Sequence, residues 1–587
     1  MNNRTPSLEV LRLRRLIAFT VMVALILFGK LVYFQVIAKD SLNKESLSHR
    51  ITPYVIPAMR GNIVDVNGKI LATTVMSYNV TVDPTLVAPY TRTRNGVTEK
   101  FNVGAATRKL ATALNMRVGE VAKKLRGTSR YSLVAKQVDG STYLRISHLD
   151  IPWVYFENVP HRIYPNGALA GNLLGFVGSD GNALEGIELS ANKCLAGVNG
   201  MQTFQHGEDG IKIPGTVDTK VEPKNGGTLR LSIDSDLQYY AQQIMAKQVK
   251  SLKADWGTAI VIEAKTGRIL AAAEAPTVDP NDPGAAPAEA RSARIFRNMI
   301  EPGSTMKALT AATAIDTGLA TPLTHVVAPQ STTVAGGFRI SDSHTHPTEH
   351  LTLQGVLIES SNTGIIQVGI KVPYATRYDY WRKFGLGSAT AVQYQGEAPG
   401  VIYQQAPDGA TVYTSMFGQA MQVTPIQAAM AYQTFANDGV RLAPQLLLGC
   451  TAPDGSESPA QGTIAPTRVL KSSTDKTMLA MLENDVSQTG GIGSTARIPG
   501  YRIGGKTGTA QIANGKGGYG YLHAISFIGI APIENPKYVV AITIFKPRTT
   551  STSIGATPPF KAIMQQVLRA YRVPPSTTKS PKIPARW

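Results

Sequence analysis

The stretch from 229 to 572 opens and closes on strand patterns and is helical in between, and this arrangement constrains the fold more than any other feature. Leu229–Ile233 alternates, and Asp234 or Ser235 caps a helix running to about Leu252. Thr258–Glu263 and Arg268–Ala273 are strands around a Lys265-Thr266-Gly267 turn. After a helix-rich middle, Ser304 to about Asn437, Ser526–Ile530 and Tyr538–Phe545 are strands again. One antiparallel sheet must then draw strands from both ends of the segment, with helices flanking it: an α+β domain.

The whole chain, 587 residues, is too long for one ordinary domain. Leu16–Ala38 is apolar apart from Lys30, long enough to span a bilayer, and preceded by Arg4, Arg12, Arg14 and Arg15. These features predict a cytoplasmic tail (1–15), an uncleaved signal anchor (16–38) and an exported body. A cleaved signal peptide is the alternative; the run is long for one, and no small-x-small site comes after it. Residues 39–228 form a mixed module with an Asn67-Gly68 hairpin, helical patches and a glycine-rich stretch, without catalytic spacing. Gly226-Gly227 marks its end. The basic, Pro-rich tail 573–587 is expected to be disordered. Two cysteines, Cys194 and Cys450, make no disulfide framework and read as unrelated thiols. The net charge of +19 raises nucleic acid as a partner. No zinc spacing, RNP-like strand or helix-turn-helix signal supports it, so the basic surface is read as facing anionic lipid or wall polymer.

Three short patterns carry the chemistry. In Glu301-Pro302-Gly303-Ser304-Thr305-Met306-Lys307, a loop gives way to an alanine-rich helix, and the i, i+3 spacing puts Lys307 on the face of Ser304. A serine needs a base to become a nucleophile, and a lysine of lowered pKa can serve. Ser-x-x-Lys alone is weak, recurring at Ser41, Ser473 and Ser576. Its force comes from two further patterns downstream, in a fixed order: Ser360-Ser361-Asn362 after a helix, and Lys506-Thr507-Gly508-Thr509 before the last strands.

The ordered set resembles that of the penicillin-binding proteins and class A β-lactamases. Arg60–Ala72 resembles the first N-terminal box of class B penicillin-binding proteins, with Val66 where the family usually has arginine; Gly186-Ile187-Glu188 resembles the second. Phe417-Gly418-Gln419, Thr424-Pro425 and Ala436-Asn437-Asp438-Gly439 resemble further parts of their transpeptidase domain, and Glu301–Lys307 looks more like the division-specific FtsI type than the elongation type. The resemblance implies a peptidoglycan D,D-transpeptidase: one transmembrane helix, an elongated pedestal or dimerisation-like module over 39–228, and a penicillin-binding domain over 229–572. It implies Ser304 as nucleophile, Lys307 as general base, Ser360 as proton relay to the leaving D-Ala, and Asn362 as the holder of Lys307 and the substrate amide. Lys506, Thr507 and Thr509 would bind the terminal carboxylate, Gly508 would let the strand approach the substrate backbone, and the N–H groups of Ser304 and Thr509 would form the oxyanion hole. Arg60, Gly61 and Glu188 would be structural or docking residues. No metal or organic cofactor is required.

Implied partners are stem peptides of lipid II-derived strands, β-lactams, a SEDS-type glycosyltransferase and other division membrane proteins. Lys30 would face a partner helix or snorkel to the outer headgroups. Other readings stay open: an elongation-type enzyme, a D,D-carboxypeptidase, a β-lactamase, or a non-catalytic sensor or scaffold acylated by β-lactams. Gly500–Thr507 formally matches a nucleotide-binding loop, but it leads into glycines rather than a helix. His344, His346 and His350 have no supporting metal-ligand pattern and read as a polar loop.

Overall fold

The computed structural model describes residues 8–42, 44, 51–94, 96–205, 213, 215–407, 409–459, 464–488, 492–515 and 518–587. Arg4 of the basic N-terminal cluster lies outside them. The chain forms two compact units: 1–58 with 197–225, and 59–196 with 226–587. Residues of the expected 39–228 module are thus shared between the two units. The chain enters the second unit at Met59, leaves it after Ala196 and re-enters at Gly226.

In the first unit, the apolar run forms a helix, Leu8–Val32, continued by a wider turn over Tyr33–Ile37. None of its apolar side chains is buried by protein, which is what a helix surrounded by lipid requires. A small antiparallel sheet comes next, in which Gly200–Gln205 pairs with both Ile51–Ile56 and Asp218–Val221.

The second unit is built on α1 (Ser235–Leu252), β1 (Trp256–Glu263), β2 (Ile269–Ala275), α2 (Met306–Asp316), α3 (Leu353–Ile358) and α4 (Asn362–Gly369), then α5 (Pro425–Phe435), α6 (Ser472–Ser487), β3 (Gly504–Ala513), β4 (Tyr519–Ala531), β5 (Tyr538–Phe545) and α7 (Thr557–Ala570). The strands make one antiparallel sheet in the order β2-β1-β5-β4-β3. Strands from the start of the segment thus pair with strands from its end, Ile260 opposite Ala541. Successive side chains divide between two cores. Val261, Ile542 and Phe527 pack under α1 and α7, while Ile260, Ala541 and Ile528 pack under α2 and α5. Both faces are covered, so the strands read as almost unbroken apolar runs. Helix α2 is buried on nearly every side; Ala308, Ala311, Ala312 and Ala314 let neighbours approach it closely. Strand β3 is the free edge of the sheet and lies against the Ser304 turn.

Two expectations fail. Cys194 and Cys450 form a disulfide, with Cα atoms 6.0 Å apart. Strand Thr228–Leu231 explains their meeting: Leu229 stands opposite Cys450, and the Gly227 N–H donates to the Cys194 carbonyl at 2.8 Å. A separation of 256 residues left no sequence signal for it. Nor is the tail 573–587 loose. It crosses the second unit through backbone groups that its prolines leave free to accept: the Tyr501 hydroxyl donates to the Val573 carbonyl, and the Thr352 hydroxyl to that of Pro584.

Candidate active site

Ser304 sits in a tight turn, Gly303–Thr305, that runs directly into α2. The turn is fixed from beneath. The Gly303 N–H donates to the Gly418 carbonyl (3.0 Å), the Tyr432 hydroxyl to the Thr305 carbonyl (2.9 Å) and the Thr310 hydroxyl to the Met416 carbonyl (2.7 Å). Gly418, at φ +82°, has no room for a side chain: a Cβ there would lie 2.2 Å from the Gly303 carbonyl oxygen. The Phe417-Gly418-Gln419 stretch is thus the platform under the candidate nucleophile.

One turn on from Ser304, as the second residue of α2, Lys307 is fully buried, and its Nζ lies 3.0 Å from Ser304 Oγ and 3.3 Å from Ser360 Oγ. It also donates to the Ser360 carbonyl. Burial, then the positive charge of Lys506, hold the Lys307 amine well below the ordinary lysine range; Asp342 and Asp485 oppose this. An amine held below its ordinary range, within hydrogen-bond distance of the Ser304 hydroxyl, is placed as a general base must be.

Ser360 lies in the middle of the α3–α4 turn in a left-handed conformation, φ +55°. A side chain there costs about 1–3 kcal/mol and persists only where its surroundings impose it. Asp342 is much of that surrounding. It accepts from the Ser361 hydroxyl at 2.6 Å, the Thr363 N–H at 3.0 Å and the Asn362 N–H. Asn362 differs from expectation: its side-chain N–H donates to the Ser341 carbonyl at 2.8 Å, and Lys307 donates to Ser304 and Ser360 rather than to the Asn362 amide oxygen. That position is filled by the Ser360 carbonyl, which the left-handed turn aims at the amine.

Lys506, Thr507, Gly508 and Thr509 lie on β3, so the stretch that formally matched a nucleotide-binding loop runs into a strand. Lys506 is buried and donates to Thr507 Oγ1 at 3.3 Å. Gly508 is also required by packing within the protein. A Cβ there would meet Ser526 Oγ at 2.3 Å and the Pro302 carbonyl oxygen at 3.0 Å, so the close approach is to the Ser304 turn itself. Behind the two lysines sits Asp485 on α6, also buried, 3.7 Å from Lys506 Nζ. Burial pushes its carboxyl up to about 6, against the pull of Lys506 and Lys307. Neither Asp342 nor Asp485 was expected from sequence. Asp485 had a signal, since it continues the buried helical face of Met478, Met481 and Leu482. Asp342 had none within the polar loop that holds it. Glu301, in the Ser304 stretch, had no expected role; it joins the Ser304 turn to the β3–β4 hairpin, accepting from Tyr519 Oη (3.0 Å) and the Ala420 N–H (2.9 Å).

Arg60, Gly61 and Glu188 meet elsewhere in the second unit. The fully buried Glu188 carboxylate takes Arg60 on one oxygen, and Arg162 (2.7 Å) with the Tyr164 hydroxyl (3.2 Å) on the other. Gly61 contributes its carbonyl to Arg162 at 2.6 Å. A buried carboxylate is tolerable only when paired and hydrogen-bonded this fully.

Ser304 and Ser360 on a shared buried lysine, with a second lysine on a flanking edge strand, form an arrangement suited to serine acyl transfer. Residues 257–565 match the penicillin-binding protein transpeptidase domain and residues 55–231 the penicillin-binding protein dimerisation domain. The chain belongs to the penicillin-binding protein transpeptidase family, with the two-module build of its class B members. It is 32% identical to the penicillin-binding protein PbpB of Mycolicibacterium smegmatis across 94% of this chain and 89% of that protein. It is 31% identical to the peptidoglycan D,D-transpeptidase FtsI of Escherichia coli, across 94% and 90%. Among solved structures it is similar to a peptidoglycan synthetase from Bifidobacterium adolescentis (TM-score 0.72, 32% identity, 92% of this chain and all of that one). It is also similar to penicillin-binding protein 3 of Mycobacterium tuberculosis complexed with aztreonam (TM-score 0.68, 29% identity, 89% and 98%).

Proposed function

We propose that this protein is a peptidoglycan D,D-transpeptidase of septal wall synthesis, and that Ser304 forms the acyl-enzyme. The observation that carries the reading is the buried Lys307 amine, 3.0 Å from Ser304 Oγ and 3.3 Å from Ser360 Oγ. Ser304 Oγ attacks the penultimate D-Ala carbonyl of a stem peptide as its proton passes to Lys307 Nζ. The oxyanion is stabilised by the N–H groups of Ser304 and Thr509, each such donor supporting about 3–4 kcal/mol of transition-state stabilisation. The proton returns through Ser360 Oγ to the departing D-Ala nitrogen, the C–N bond breaks, and an ester remains on Ser304. The amine of a second stem peptide attacks the ester, Ser304 regains its proton, and the cross-link is made. Lys506 and Thr507 receive the terminal carboxylate with Thr509 beside them, and Asn362 borders the site near the substrate amide. A β-lactam mimics the D-Ala-D-Ala carbonyl and is held as the same ester, in line with the aztreonam complex of the tuberculosis relative.

The domain assignment carries over as part of this reading: a cytoplasmic tail over 1–15, an anchor over 16–38, a pedestal over 39–228 and a catalytic domain over 229–572. The body lies outside the cytoplasm. The Cys194–Cys450 disulfide supports this side of the membrane, since such bonds persist in oxidising compartments. The septal role rests on the FtsI name of a relative, and a SEDS-type glycosyltransferase is the partner we assign to the anchor and pedestal. The test is a cross-linking assay with a D-Ala-D-Ala stem-peptide donor and an amine acceptor. Release of one D-Ala per cross-link supports the transpeptidase. Release of D-Ala with free acid only would make it a carboxypeptidase instead.

A further inference from the structure

The tail that sequence reads as disordered grips two helices behind the Ser360 turn: α6, whose Met481 carbonyl accepts from Gln354 of α3 at 3.1 Å, and α3 itself. On α6, Asn484 donates to the Pro581 carbonyl (2.9 Å) and accepts from the Ile583 N–H (3.2 Å), one residue before Asp485. The second is α3, which ends two residues before Ser360. At its start the Thr352 N–H donates to the Ala585 carbonyl at 3.0 Å, and Gly355 packs so tightly there that a Cβ would lie 1.9 Å from the same oxygen. At its end Arg586 donates to Glu359 at 3.1 Å. Trp587 seals the contact, stacked on His325 at 4.3 Å with its indole N–H on the Leu351 carbonyl at 3.0 Å.

A polar path then leads from the tail into the turn. Arg586 donates to Glu349 at 2.6 Å; the other oxygen of Glu349 lies 3.8 Å from His346 Nδ1, an electrostatic contact only, since that nitrogen is 2.7 Å from the Pro347 carbonyl. His346 Nε2 lies 3.1 Å from Asp342, whose two oxygens hold Ser361, Asn362 and Thr363. We propose that residues 581–587 are a positioning strap, holding the Ser360–Asn362 turn in the conformation that presents Ser360 to Lys307. The strap touches no reacting atom. Its work is to keep Ser360 in the left-handed region, from which an unsupported serine relaxes.

This inference rests on the acylation chemistry proposed above and is tested against wild-type acylation, so the two fail separately. The full-length chain is compared with a truncation after Lys579 and with the full-length Arg586→Gln/Trp587→Ala double variant. Pre-acylation binding and the acylation rate constant are measured separately with a fluorescent penicillin. The strap predicts an acylation rate constant lowered about tenfold or more in the truncation, with binding changed far less. It predicts a smaller loss in the double variant, and recovery of the truncation when a synthetic 580–587 peptide is added. Wild-type acylation by the double variant would overturn the proposal, even if the truncation did not fold. So would a loss in the folded truncation that appears only in binding or is not restored by the peptide.

Discussion

Asp485→Asn separates what the site needs from what the fold prefers. The carboxyl is buried behind both lysines, and its pKa is pushed up to about 6 from an ordinary value of 3.8. Burial is the larger influence; the attraction of Lys506 at 3.7 Å offsets it only in part. A carboxyl with a raised folded-state pKa stabilises the fold most below pH 3.8, where both states are protonated, and that contribution is lost as pH rises through about 6. A shift of about two units corresponds to roughly 3 kcal/mol. Asparagine mimics the protonated carboxyl, so the variant should be more stable than wild type at pH 7.5 by up to about 3 kcal/mol, and level with it near pH 4. The opposite outcome, in which removing one partner of a buried ion pair destabilises by about 3–5 kcal/mol, holds where attraction exceeds desolvation. Here desolvation is the larger effect. Function moves the other way: loss of the carboxylate leaves Lys506 uncompensated and lowers the Lys307 pKa further, so the acid limb of the acylation profile shifts to lower pH. Thermal melting at pH 4, 6 and 7.5, beside pH-dependent acylation by a fluorescent penicillin, reads both effects. An Asn variant less stable at pH 7.5, with the gap closing on acidification, would refute the reasoning.

Reducing the Cys194–Cys450 disulfide reopens a 256-residue separation, and loop entropy sets the cost at about 5 kcal/mol; melting with and without dithiothreitol should show a clear fall, and coincident curves would contradict the bond. Ser360→Gly removes the left-handed strain together with the hydroxyl, so melting should hold or rise while acylation falls about 100-fold or more; a variant that acylates normally would remove the hydroxyl from the mechanism. Glu188→Gln leaves Arg60 and Arg162 short of their counter-charge and should cost about 3–5 kcal/mol; an unchanged melting temperature would argue that the cluster is not structural.

The sheet was legible because apolar strand runs stand at both ends of the segment; its register, Ile260 opposite Ala541, was not, since both faces are apolar. The residues at the site were legible because three patterns in a fixed order are rare by chance, although each is common alone. What was not legible depends on long-range contact. The support of Ser360 by Asp342, the counter-charge of Asp485 and the cysteine pairing each join segments that local pattern cannot relate. The tail misled for a physical reason: proline and lysine content argues against a self-sufficient core, but a segment can be ordered by hydrogen-bonding to a surface already folded. Asn362 was assigned by position in a motif, and its side chain bonds to a neighbouring strand instead.

The central claim, that Ser304 becomes a nucleophile through the neutral amine of Lys307, is tested most directly by fluorescent-penicillin labelling of membranes carrying wild type beside Ser304→Ala and Lys307→Ala. Wild type should carry a label stable for hours, and neither variant should carry one. A label that survives in Ser304→Ala, or fails to form on well-folded wild type, would contradict the claim.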